Sequence, residues 1–204
     1  MPPGAAERVA LGVSVHTGWA ALVAVSAASA ATVRILERRR LEMIPGTDPE
    51  GPRFVYHAAR ALPLAAAERL VQSSLGRASS RARASLAEVV EELRAAGTPP
   101  VACGMVGGRS ATALPLESIL RNHSAVHTAE GALFRNALRS AGEAVGLPVA
   151  EVHSKELPVR AARALGLPAA GVPRLLEQVG REAGRPWSKD QKDATLAALV
   201  ALLD

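Results

Sequence analysis

Pro186-Trp187-Ser188-Lys189-Asp190-Gln191-Lys192-Asp193, running directly into the apolar stretch Ala194 to Leu203, is the segment whose reading decides the fold. Ser188 carries an N-cap side chain and nothing from Lys189 to Leu203 breaks a helix, so the pattern predicts a helix that opens with carboxylates and continues as Ala and Leu. Asp190 and Asp193 share one face at the positive end of the helix dipole. Hard divalent cations take clustered oxygens, which makes the pair a candidate metal site; acidic residues in a first turn are also ordinary capping.

Upstream of this helix, Arg8 to His16 (RVALGVSVH) and Trp19 to Ser26 (WAALVAVS) are β-type runs joined by Thr17-Gly18, a turn of hairpin spacing. Ala31 to Ile44 begins with Val33 and Ile35 alternating with Arg34, giving a third antiparallel strand, and Pro45 to Pro52 is a loop. From Phe54 to Ala96 the period is helical, with Pro63 expected to kink the chain and Gly76 expected to break it. Val101 to Val106 reads as a short buried strand with Gly107-Gly108-Arg109-Ser110 at its end, a corner where backbone can approach a ligand. An amphipathic helix through Leu133 to Ala141, a strand Pro148 to His153, and helices near Leu157 to Leu165 and Arg174 to Glu182 complete the order. The result is an α/β chain: a mixed sheet with an antiparallel three-strand meander at one edge and parallel strands reached by helical crossovers. Sites in such sheets gather at the C-terminal strand edges, which brings His16, the Gly107 to Ser110 corner and the start of the last helix within reach of one another.

Composition narrows the function classes. A length of 204 residues fits one domain spanning 1–204, with a helical insertion or extension at about 53–97. Net charge +5 favours a polyanionic partner, DNA or RNA; the local clusters are Arg38-Arg39-Arg40 and Arg77/Arg81/Arg83. Lys189, Lys192 and Arg109 are the nucleic-acid-binding candidates nearest the expected site. The lone Cys103 excludes an intramolecular disulfide and a cysteine-rich zinc site, in keeping with a reducing cytoplasm. Val9 to Val33 carries no Asp, Glu, Lys or Arg, but Ser14, His16, Thr17 and Gly18 interrupt it as a hairpin would, so no membrane segment is expected. Helices this rich in Ala could pack against a second copy as a homodimer as readily as against their own sheet.

A chain of this element order whose final helix begins Asp190-Gln191-Lys192-Asp193-Ala194 resembles the ribonuclease H-like superfamily, and within it the RuvC-type Holliday-junction resolvases. The resemblance implies a ribonuclease H-like mixed sheet with helices on both faces. It also implies two divalent metals, Mg²⁺ or Mn²⁺, held by acids of the first strand, the fourth strand and the last helix, and hydrolysis of phosphodiesters in structured nucleic acid. Asp190 and Asp193 match the paired acids of the last helix. The first-strand position falls near Ser14 and the fourth-strand position near Gly104, so the acidic site is degenerate.

His123, His127 and Glu130 lie close together, and the spacing His127-Thr128-Ala129-Glu130 puts an imidazole and a carboxylate on one helical face. With Asp190 and Asp193 they would make a catalytic and metal-binding set suited to Mn²⁺, Zn²⁺ or Fe²⁺; the same residues also read as a helix start, with Thr128 or Ser124 as cap. His16 is a further pocket candidate or a surface turn residue, and Ser110 a nucleophile only if a histidine and an acid fold against it. Trp187 reads as a packing anchor. The alternative to a nucleic-acid protein is a non-catalytic scaffold that keeps the fold, with Asp190 and Asp193 as caps.

Overall fold

The computed structural model describes residues 7–108, 114–168 and 170–203. Five strands form one sheet in the order β3-β2-β1-β4-β5. β1 (Arg8–His16), β2 (Trp19–Ala27) and β3 (Arg34–Glu42) are the antiparallel meander, while β4 (Pro100–Gly107) and β5 (Val149–His153) run parallel to β1. The β1–β2 turn works because Gly18 takes φ 82°, a left-handed conformation in which a side chain would be strained.

Seven helices are described: α1 (Val55–Ala59), α2 (Leu64–Ala95), α3 (Leu116–Arg121), α4 (His123–Ala144), α5 (Leu157–Ala164), α6 (Gly171–Ala183) and α7 (Lys189–Leu203). Strand side chains alternate between the two faces of the sheet. Leu11 and Val13 of β1, with Cys103 and Met105 of β4, pack with α2 and α4. Ala10 of β1 and Ala102 of β4 point the other way, into a cluster with α6 and α7. The expected layering, with helices on both faces, is what the chain adopts.

α7 is the centre of the second layer. It has no polar side from Ala194 onward, and every residue from Ala194 to Val200 is buried, as an all-round apolar helix requires. It lies so close to the sheet that a Cβ on Gly12 would stand 1.8 Å from the Ala194 carbonyl oxygen, and one on Gly104 would stand 1.9 Å from that of Ala197. Small residues on strand and helix thus set the depth at which α7 sits. Its entry is held by a capping box: Ser188 Oγ accepts from Gln191 N at 3.3 Å, and Gln191 Oε1 accepts from Ser188 N at 3.0 Å.

Two helical expectations change. Pro63 does not kink a helix but precedes one, as the N-cap of α2. Gly76 does not break α2, which runs on for 32 residues; the penalty of about 1 kcal/mol for a helical glycine is outweighed by the buried stripe Ala67, Val71, Ala78, Ala82 and Leu86 on either side of it. The basic clusters are largely spoken for as well. Arg81 Nη1 reaches Asp48 at 2.6 Å and Arg77 lies 3.8 Å from Glu50, tying the 45–52 loop to α2. The Asp48 carboxyl is held below the usual range, first by the Glu50 N–H and then by the Arg81 guanidinium. Arg39 pairs with Glu37 and Glu92, and Arg40 with Glu42. Among the described residues no helix is long and apolar enough to cross a membrane.

Candidate functional site

The edge of the sheet where β1 ends and α7 begins is built from even-numbered β1 residues. Ser14, only 6% exposed, faces the α7 layer, and His16 follows two residues on. His16 Nε2 lies 2.9 Å from Asp190 Oδ1 at ion-pair distance but without hydrogen-bond alignment. The ring is fixed from its other side, stacked on Trp19 with centroids 4.3 Å apart and planes 10° apart. Arg40 in turn sits 3.8 Å over the Trp19 ring. Asp193 accepts a hydrogen bond from Lys189, four residues earlier on α7, and that contact raises the Lys189 ammonium above its ordinary value.

β1 and β4 pair Gly12 with Gly104 and Val13 with Met105, so the position beside Ser14 is one residue further, at Val106. Val106 packs against the apolar cluster that α7 shares with β5, α5 and α6. Gly104 lies deeper, beneath the helix, where nothing larger fits. Neither position offers a carboxylate. Among the described residues the oxygen and nitrogen donors at this edge include Asp190, Asp193, His16 and the Ser14 hydroxyl, which do not fit a two-Mg²⁺ site: such a site needs more carboxylate charge than one aspartate pair supplies.

His127 and Glu130 do not join that edge. They belong to α4, in the layer across the sheet from α7, so the mixed set of His127, Glu130, Asp190 and Asp193 is divided between two faces. α4 also begins earlier than its sequence suggests, with Asn122 as cap: its side-chain oxygen accepts from Ala125 N at 3.0 Å. Thr128 and Ser124 are therefore interior to the helix, Thr128 donating to the Ser124 carbonyl.

Glu130, 3% exposed, is turned inward. Its Oε1 accepts from Val55 N at 2.7 Å, and its Oε2 accepts from Tyr56 N at 3.1 Å, more weakly from His57 N at 3.4 Å, and from His57 Nδ1 at 3.1 Å. A carboxylate has about four acceptor positions, so this one is fully used in docking α1 onto α4. Burial, and then the Glu130 charge, push the Tyr56 hydroxyl above its ordinary value.

His57, which the sequence reading did not single out, is thereby placed against His123 and His127. A ring nitrogen from each lies within 4.8 Å of the other two. Arg109 and Ser110 lie outside the described residues.

Beside the α7 start is an open groove of about 1000 Å³, its lining including Arg181, Arg185, Trp187, Lys192 and Glu177. Its wall is held by Arg38, which donates to the carbonyls of Ala183 at 2.6 Å, Gly184 at 3.0 Å and Pro186 at 2.5 Å. Trp187 is the anchor of the groove rather than an open stacking platform: its indole N–H donates to the Leu176 carbonyl at 3.0 Å and its ring lies flush against Gly180.

No family model matches the sequence, and no curated protein matches it. Solved structures do match. Thermus thermophilus RuvC in complex with a Holliday junction substrate is similar over 95% of this chain and 91% of its own, with a TM-score of 0.52 and 18% identity. A second Thermus thermophilus RuvC structure is similar over 94% and 92%, with a TM-score of 0.53 and 16% identity. The chain has a RuvC-like, ribonuclease H-like α/β fold.

Proposed function

We propose that this protein binds structured nucleic acid along the groove between α6 and α7, and that it does so without two-metal phosphodiester hydrolysis. The observation that carries the reading is the pairing, at one corner, of an exposed basic groove with an acid-depleted sheet edge. Arg181 and Arg185 are exposed and Lys192 half-exposed along it, three cations available to phosphates, with the exposed Lys189 at the start of α7 paired to Asp193. The resemblance to resolvases implies acids where Ser14 and Gly104 stand. The similarity to a RuvC bound to a Holliday junction supports a branched ligand over a plain duplex. The aspartates that remain are engaged by His16 and Lys189 and serve the start of α7.

The test is fluorescence anisotropy with a four-way junction, a duplex and a single strand, paired with a cleavage assay in Mg²⁺ and in Mn²⁺. Tighter binding to the junction, no cleavage with either cation, and binding weakened by Lys192→Ala together with Arg181→Ala are expected. Cleavage abolished by Asp190→Asn would instead show that the Asp190/Asp193 pair with His16 holds a catalytic cation. Failure to bind any of the three substrates would leave the scaffold reading.

A further inference from the structure

We propose that His57, His123 and His127 form a binding site for a borderline transition-metal cation, Zn²⁺ by preference, oriented by the buried carboxylate of Glu130. The site lies across the sheet from the proposed nucleic-acid groove and does not depend on it.

Local structure builds the cluster from two elements. His123 and His127 are one turn apart on α4, so their rings meet edge to face on one side of the helix, with centroids 4.4 Å and planes 88° apart. His57 comes from α1, and Glu130 fixes it there by accepting from the α1 backbone and from the His57 ring at once. The His57 ring lies 4.7 Å from that of His127 and 6.3 Å from that of His123.

Three features favour a cation. His123 Nε2 and His127 Nε2 stand 3.0 Å apart. Two nitrogens on a tetrahedral Zn²⁺, each about 2.0–2.1 Å from the metal, are about 3.3 Å apart, so this pair needs only a slight opening to share an ion. Second, an acceptor-only carboxylate at His57 Nδ1 requires that nitrogen to carry the proton, which leaves the Nε2 lone pair for a metal. A buried carboxylate behind a ligand histidine is the arrangement that fixes the tautomer and raises ligand basicity in metal sites. Third, three imidazole nitrogens without a carboxylate ligand are a donor set for Zn²⁺, Ni²⁺ or Cu²⁺ and a poor one for Mg²⁺ or Ca²⁺.

The residues are also reachable. His123 and His127 are exposed, and they line, with Ser124, Thr128 and Arg135, an open cavity of about 420 Å³. A cation held by three rings there would keep a fourth position turned toward solvent, for water or an anion, with the Arg135 guanidinium nearby.

The experiment uses the full chain without an affinity tag. Zn²⁺ binding is measured by competition with a chromophoric chelator, and the coordination is read from the visible absorption of Co²⁺ in the same site. The expected result is one Zn²⁺ per chain and a four-coordinate Co²⁺ spectrum. His123→Ala and His127→Ala, both on the surface, are expected to weaken binding about 100-fold or more, and Glu130→Gln about 10- to 100-fold with the stoichiometry kept. Asp190→Asn is expected to leave binding unchanged. No Zn²⁺ bound by the parent chain, binding that survives His127→Ala in a variant with an unchanged circular dichroism spectrum, or binding lost on Asp190→Asn would each overturn the proposal.

Discussion

Gly104→Ala is the sharpest probe of how α7 is seated. The new Cβ would stand 1.9 Å from the Ala197 carbonyl oxygen and 2.9 Å from the Ala198 nitrogen, and ordinary contact begins near 3.4 Å. Helix and strand must therefore separate by about 1.5 Å locally, and a gap of 0.5–1 Å already forfeits about a quarter to a half of each dispersion contact across it. The obstacle is backbone, so no rotamer change relieves it. Inserting one methylene into a packed core costs about 1–3 kcal/mol, and this case belongs at or beyond the upper end. A loss of about 3 kcal/mol or more is expected, read as a fall in Tm of about 6–12 °C for a chain of this size. Thermal and urea unfolding followed by circular dichroism measure it. A Tm within about 2 °C of the parent would refute the packing argument, because it would mean that α7 is not held at this depth.

Gly76→Ala should act in the opposite direction: no atom lies within 4 Å of the added methyl and the position is helical, so a gain of about 0.5–1 kcal/mol is expected from urea unfolding. Cys103 is buried and its thiol is pushed up to about 12 by loss of solvent. The native state keeps that proton where the unfolded chain, with a value near 9.0, gives it up. Its contribution to stability is therefore intact below that pH and declines by about 1.4 kcal/mol per pH unit on the way to the folded value. Urea titrations of the parent and of Cys103→Ala across this range should differ by that slope; the same burial should make a thiol reagent wait for unfolding.

Much of this architecture is legible in the residues because the deciding signals are local. The Thr17-Gly18 turn, the alternation on both sides of it, and Ser188 with Gln191 at the start of α7 are each read within a few positions. What escaped is non-local. Gly76 reads as a break by propensity, yet the apolar stripe of α2 overrides it. Glu130 reads as an acid near a helix start, whereas the helix begins at Asn122 and the side chain is spent on α1. His57 is far from His123 in sequence, and only the docking of α1 on α4 brings them together. The one available signal was that three of the chain's five histidines fall in the segments flanking that contact. Separation of Asp190 and Asp193 from His127 and Glu130 could not be read either, because it depends on which face of the sheet each helix covers.

The central claim, that the α6–α7 groove engages a phosphate backbone, is tested most directly by the salt dependence of four-way-junction affinity. Three cations, Arg181, Arg185 and Lys192, should give a slope of log K against log salt of about −3, reduced by about one for each cation removed. A flat response, or a slope unchanged in Lys192→Ala and Arg181→Ala, would contradict it.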